Sequence, residues 1–177
     1  RARNVWGKPQ RYKQNYPTAC AGKYFTGDGA LRDEVGYYRI TGRVDDVIIV
    51  SGHNLGTAPI EDSINEHPAV AESAIVGYPH DIKGSALYGF VILKESGVDR
   101  NKENLGKEIN QLISDQIGPI AKLDKIQFVS GLPKTRSGKI MRRILRKIAE
   151  GDFSNFGDTS TLLNPEIVDE IKNERLD

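Results

Sequence analysis

The residues best suited to chemistry in this 177-residue chain sit in Pro133–Lys147, PKTRSGKIMRRILRK. Lys139 follows Ser137-Gly138, a pair that favours a tight turn and puts the lysine at its exit. A cation on a glycine-hinged loop, backed by a helix, suits a charged, transient species such as a phosphate or carboxylate. Seven of the fifteen residues are Lys or Arg and none is acidic, so a second reading stands beside the first: a solvated basic helix after a turn. A Walker-type phosphate loop is excluded. It needs Gly five residues before the Gly-Lys pair and Ser or Thr after it, where this chain has Pro133 and Ile140.

A second chemical candidate is Asp28. Thr26-Gly27-Asp28 is expected to place a carboxylate at the end of a strand, where it could accept two hydrogen bonds from a ribose diol. An Asp-Gly hairpin turn is the plainer reading of the same residues. The three histidines, His53, His67 and His80, lack metal-ligand spacing, and no glycine-flanked serine elbow is present. No metal site is expected. Arg136–Lys147 could meet nucleic-acid phosphates, but no aromatic residues are interleaved there to stack on bases.

These candidates need a scaffold, and the chain has the length for one good core and a partial second unit. A net charge of +1 gives no global pull toward nucleic acid or membrane. The single cysteine, Cys20, excludes an internal disulfide framework and fits a reducing, cytoplasmic setting. No apolar run reaches membrane-spanning length and no signal peptide is legible. The chain begins at Arg1 without Met and reads as a piece of a longer polypeptide.

Tyr24–Thr26 and Gly36–Gly42 read as two short strands joined by a turn at Arg32–Gly36, too little for a core. Residues 1–43 are therefore expected to be the trailing edge of a larger domain. Gly42–Asp46 is a polar junction. Val47–Val50 predicts a buried strand ending in the loop Ser51–Gly56, with Thr57 capping a helix and Pro59 in its first turn. Strands follow at Ala71–Tyr78 and Ala86–Lys94. Leu105, Ile109, Leu112 and Ile113 mark an amphipathic helix, and Ile126–Val129 another strand. Ile140, Ile144, Leu145 and Ile148 predict a final core helix with its arginines on the other face. Residues 44–150 thus form a mixed unit, and 151–177 a polar tail with a short helix from Asn164-Pro165 to Arg175.

Three stretches taken together resemble the adenylate-forming acyl-CoA synthetases, most closely the acetyl-CoA synthetases among them. They are Tyr24–Arg43 (YFTGDGALRDEVGYYRITGR), Val44–Glu61 (VDDVIIVSGHNLGTAPIE) and Leu132–Lys147 (LPKTRSGKIMRRILRK). Gly157–Pro165, GDTSTLLNP, also looks like that family's tail. The resemblance implies an α+β fold: a mixed three-stranded sheet packed with helices, plus a short β-hairpin, preceded by strands from the end of an N-terminal AMP-binding domain. It implies residues 44–150 as a mobile C-terminal catalytic domain.

The implied chemistry is activation of a small carboxylic acid, acetate or alternatively propionate, by ATP with magnesium to an acyl-adenylate. Coenzyme A then forms the thioester. By resemblance, Asp28 holds the ribose hydroxyls and Arg43 supports the nucleotide. Asp45 is the hinge, and Lys139 reaches the carboxylate and α-phosphate. Gly52, with Ser51 beside it, lines the pantetheine path. Lys139 is also the implied target of a lysine acetyltransferase and deacetylase. Two positions depart from the pattern. Asn54 stands where the family often has an arginine near the nucleotide phosphate, and Ser114 where an arginine holds the 3′-phosphate of coenzyme A. Lys122 or Lys125 would have to substitute. The fragment alone is expected to be inactive, its phosphate loop and acyl pocket lying in the missing N-terminal domain. A stand-alone module binding acidic partners or nucleic acid through Arg136–Lys147 is the competing expectation.

Overall fold

The computed structural model describes residues 6–15 and 23–177; Cys20 lies outside them. It forms two compact units, Arg1–Asp45 and Asp46–Asp177. The first holds helix α1 (Pro9–Asn15) and an antiparallel ribbon of β1 (Asp28–Arg32) and β2 (Tyr38–Arg43). Tyr24–Thr26, expected as strand, is not one. Gly27 has φ +83°, a left-handed conformation that interrupts extended chain, so the strand begins after it. Asp28 consequently opens β1 instead of closing a strand.

The second unit has the expected α+β character. Its strands are β3 (Ile48–Val50), β4 (His53–Leu55), β5 (Val70–His80), β6 (Gly84–Leu93) and β7 (Lys125–Phe128). β5 and β6 form a long antiparallel ladder, and β7 joins β6 in parallel. The β3–β4 hairpin meets the other end of β6 through Val50 and Gly84. The helices are α2 (Thr57–Asn65), α3 (Glu95–Val98), α4 (Lys102–Gln116), α5 (Arg142–Glu150) and α6 (Glu166–Asn173).

Side chains alternate across a strand, so the apolar run of β6 feeds two cores. Leu87 and Val91 join Ile75, Ile60, Ile64, Leu105, Ile109 and Ile113 beneath α2 and α4. Tyr88 and Phe90 join Ala74, Val76, Ile144, Leu145, Ile148, Ile167 and Ile171 beneath α5 and α6. The sheet is a middle layer with helices on both faces, which buries apolar surface from both sides of each strand.

Four local readings are corrected by the structure. Ile49 is exposed while Ile48 and Val50 are buried, because β3 covers a core on one face only. Pro79 and His80 continue β5; the strand lies at the sheet edge, where a missing N–H is tolerated. Gly56, not Thr57, is the N-cap of α2. The helix expected from Asn164-Pro165 to Arg175 runs from Glu166 to Asn173, and its Ile167, Val168 and Ile171 are buried. No described helix is long and apolar enough to cross a membrane.

Candidate functional site

The lysine stretch folds as a small hairpin. Lys134 and Ile140 pair across it. Thr135 N–H donates to the Lys139 carbonyl at 2.9 Å, Gly138 N–H to the Thr135 carbonyl at 2.8 Å, and Met141 N–H to the Pro133 carbonyl at 2.8 Å. Gly138 has φ +81°, which a side chain would oppose. Thr135 Oγ1 stiffens the turn by accepting from the Lys139 N–H at 3.2 Å.

The outer edge of this hairpin is covered by the chain's last segment. Thr135 pairs with Leu162, Leu163 N–H donates to the Lys134 carbonyl at 2.8 Å, and Arg136 N–H to the Thr161 carbonyl at 3.2 Å. Lys134 Nζ also pairs with Glu72 of β5 at 2.6 Å. The result is an exposed Lys139 on a braced loop. Among the described residues its ammonium has no ion-pair partner, so its charge is available to an anion.

Gly52 sits in a different kind of turn. Ser51 and Gly52 form the two-residue link between β3 and β4, both with positive φ, 49° and 83°. That is the conformation of the tight hairpin turn whose twist matches the strands. It is anchored by Ser51 N–H donating to the Lys83 carbonyl at 3.0 Å. A Cβ at Gly52 would meet no atom within 4 Å, and Ser51, Gly52 and Asn54 are exposed. The two loops lie far apart within the unit. Lys134 is pinned at Glu72, opposite Ile92, while Ser51 is anchored beyond the Val50–Gly84 pairing. Eight residue steps along β6 separate Gly84 from Ile92, roughly 26 Å at the usual strand rise.

In the first unit, the ribbon register sets Asp28 opposite Arg43. Arg43 lies against Gly27, where an added Cβ would come within 3.3 Å of its guanidinium. It donates to both carboxylate oxygens of Asp45, at 2.8 and 3.3 Å. The three residues singled out here therefore share one end of the ribbon. Asp28 is exposed.

The proposed substitutes for a coenzyme A clamp fare unequally. Lys125 is turned inward, its Nζ 4.5 Å from the Tyr78 ring centre and 3.4 Å from the Leu176 carbonyl. Burial, then the field of Arg175, lowers its pKa. Lys122 is exposed and lines a groove of about 500 Å³ between α4 and β7, whose walls do not include Ser114. The histidines serve local structure. His67 is buried, facing Glu108 at 3.3 Å, and His80 accepts from the Ile82 and Lys83 amides of its turn. Among the described residues no cluster of three His, Cys, Asp or Glu side chains could hold a metal.

Residues 59–139 match the family described as AMP-binding enzyme C-terminal domain. That stretch, a little under half of the chain, is similar to that domain. The match runs from Pro59 of α2 to Lys139 itself. Along nearly all its length the chain is similar to acetyl-coenzyme A synthetases. It is 57% identical over 173 residues to that of Methylobacterium radiotolerans and 59% identical over 169 to that of Novosphingobium aromaticivorans. The alignments cover 98% and 96% of this chain but 26% of each relative, so the chain spans about a quarter of their length. Among solved structures, ATP-bound MatB from Rhodopseudomonas palustris superposes with a TM-score of 0.69 at 28% identity. That superposition covers 82% of this chain and 27% of that one. The likeness to known proteins is thus seen in both sequence and fold.

One cluster in the second unit escaped the sequence reading. Arg142 does not face solvent with the other basic residues. Its guanidinium forks onto both oxygens of Glu61, one at 2.7 Å, and also reaches the Ile75 carbonyl at 3.3 Å and Asp46 at 3.6 Å. Burial opposes its charge, but the hydrogen bonds and field of Glu61, with Asp46, outweigh this and raise its pKa. Helical spacing held the signal: Arg142, Leu145 and Ala149 fall at i, i+3 and i+7, on the buried face. The other basic residues of α5 are also engaged. Arg143 donates to the Asp158 carbonyl, Arg146 lies 3.7 Å from Asp46, and Lys147 pairs with Asp152 at 2.7 Å.

Proposed function

We propose that this chain is the C-terminal part of an AMP-forming acetyl-CoA synthetase working in the cytoplasm. Residues 1–43 are the trailing edge of its N-terminal AMP-binding domain, 44–150 the mobile catalytic domain and 151–177 the tail. In the first half-reaction an acetate oxygen attacks the α-phosphorus of ATP, forming acetyl-adenylate and releasing pyrophosphate. In the second, the coenzyme A thiol attacks the acyl carbon, giving acetyl-CoA and AMP with loss of the thiol proton. Magnesium enters with ATP as part of the substrate. The relatives' names favour acetate over propionate.

The observation that carries this reading is Lys139: an exposed ammonium on a braced hairpin, at the end of the matched domain. Adenylation brings two anions together, and a fixed cation between them lowers their repulsion as charge develops. The Gly52 turn supports the second half-reaction, since its open, Cβ-free backbone would admit the narrow thiol-bearing arm. The distance between the two loops favours their use in turn, by rotation about Asp45. Asp28 and Arg43 are assigned to the ribose and its neighbouring phosphate. Asn54 would give that phosphate a neutral contact. An exposed Lys139 also suits acetylation, which would remove its charge and stop adenylation.

A nucleic-acid module is disfavoured because the basic face is largely spent on internal partners. The deciding measurement is acetate-dependent ATP–pyrophosphate exchange by the full-length protein, wild type against Lys139→Ala. The variant should lose exchange, whereas an unchanged rate would remove Lys139 from the mechanism. The 177-residue chain alone should show no exchange.

A further inference from the structure

Asp45 and Asp46 are neighbours with opposite commitments. Asp45 pairs with Arg43 inside the first unit, with side-chain exposures of 69% and 49%. Such a solvated pair contributes little and exchanges easily. Asp46 opens the second unit and is only 19% exposed. It faces two arginines of α5, Arg142 at 3.6 Å and Arg146 one turn later at 3.7 Å. Both distances are those of ion pairs without tight hydrogen bonds.

Arg142 breaks two local rules. It is the first residue of α5, where the helix dipole disfavours a cation, and no acid occupies that first turn. Its side chain is also 23% exposed, and burying a charge is costly. Both penalties are offset only by non-local acids. Glu61 comes from α2 and at the same time accepts the Ile75 N–H of β5 at 2.7 Å; Asp46 comes from the start of the unit. Local rules broken with a specific non-local compensation mark functional positions.

The position of Arg142 gives that compensation a purpose. It lies three residues after Lys139 and holds the downstream end of the lysine hairpin to Ile75 of β5. Lys134 holds the upstream end to Glu72 of the same strand. The hairpin is thus stapled to β5 on both sides, and the downstream staple alone continues to Asp46.

The geometry points to Arg142 as a positioning residue that, through Glu61 and Asp46, locks the Lys139 hairpin to the segment next to the hinge. This inference rests on the adenylation reading above and adds three residues to it, two of which, Asp46 and Arg142, lie outside the matched stretch 59–139. A rotation at Asp45 then reaches Lys139 through a rigid strut, without slack. The Gly52 turn is anchored elsewhere, at Lys83, and does not depend on this strut.

The test uses the full-length enzyme and its two half-reactions. Asp46→Asn and Arg142→Lys are assayed for ATP–pyrophosphate exchange and for acetyl-CoA formation from supplied acetyl-adenylate. Both variants should slow exchange by about tenfold to a hundredfold, the scale of a small misplacement of a catalytic group. The fall should be in kcat, with KM for acetate nearly constant, while the second half-reaction stays within about threefold of wild type on the same reasoning. The double variant should be no slower than the worse single one, since both break one strut. An equal loss in both half-reactions, accompanied by a lowered Tm, would make the cluster merely structural and overturn the proposal. So would an Asp46→Asn enzyme with unchanged exchange. If wild type itself shows no acetate-dependent exchange, the functional reading fails separately. The strut is then judged by amide exchange at Gly138 and Lys139, which should quicken in both variants if it exists and stay constant if it does not.

Discussion

The lysine hairpin and the glycine turn are built on opposite principles. The hairpin carrying Lys139 is stapled to β5 at Glu72 and Ile75 and covered along its edge by Thr161–Leu163. The turn carrying Gly52 has one backbone anchor and empty space where a Cβ would point. Under the roles proposed above, a cation acting on developing charge would have to be held to within a fraction of an ångström, which a braced loop provides. A passage for a slender substrate would need absence of bulk, which the bare turn provides. If the proposed roles are correct, damage at each loop should separate the two half-reactions.

The largest effect should come from Lys139→Ala. Loss of one electrostatic contact to the transition state costs about 10²- to 10³-fold in rate. ATP–pyrophosphate exchange should fall by that factor, and acetyl-CoA formation from supplied acetyl-adenylate should be nearly retained. A parallel fall in both would end the division of labour between the loops. Gly52→Leu should produce the mirror image. An added Cβ meets no atom within 4 Å, although φ +83° imposes about 1–2 kcal/mol of backbone strain. Thioester formation should drop by about tenfold or more because the reactants are mispositioned, with exchange preserved.

A finer probe is the tail. Leu162 is 7% exposed and belongs to the core beneath α5 and α6. Leu162→Ala removes packing worth about 2–5 kcal/mol at a buried site. It should loosen the hairpin edge, seen as faster amide exchange at Arg136 and Leu163. Adenylation should slow several-fold, by less than in Lys139→Ala, and the Gly52-dependent step should be untouched. Equal slowing of both steps would show that the tail stabilises the unit generally and does not serve the hairpin.

What was legible in the sequence was mostly local. Ser137-Gly138-Lys139 announced a turn with a lysine, and Gly52 a bend after a β-branched run. The apolar spacing of Leu105–Ile113 located α4, and that of Ile140, Ile144, Leu145 and Ile148 located α5, although Ile140 stands in the hairpin before the helix, bridged to Lys134. What was missed depends on partners distant in the chain. Arg142 looked like part of a solvated face because Glu61, 81 residues away, is invisible to periodicity. Leu162 sat in a polar stretch, and its place beside Thr135 follows from the fold. The start of β1 was misjudged because Gly27 punctuates the aromatic run, so that Asp28 follows the break.

The smallest expected effect concerns pH and again separates the loops. The tail leaves α5 through Gly151 and is tied by two solvent-accessible aspartates. Hydrogen bonds from Lys147 and Ser154 hold the Asp152 pKa well below the usual range, and those from Ser160 lower that of Asp158. A carboxylate whose folded pKa is depressed adds stability above its unfolded pKa and loses it as pH falls through the folded value. The tail's grip on the lysine hairpin should therefore be constant through the neutral range and weaken only below the ordinary range of aspartate. Amide exchange at Leu163, referenced to His53 beside the Gly52 turn, would measure it. Asp152→Asn should give a small, pH-independent loosening at Leu163, because solvent already screens these exposed pairs. A loosening centred near neutral pH would assign the tail's hold to other groups.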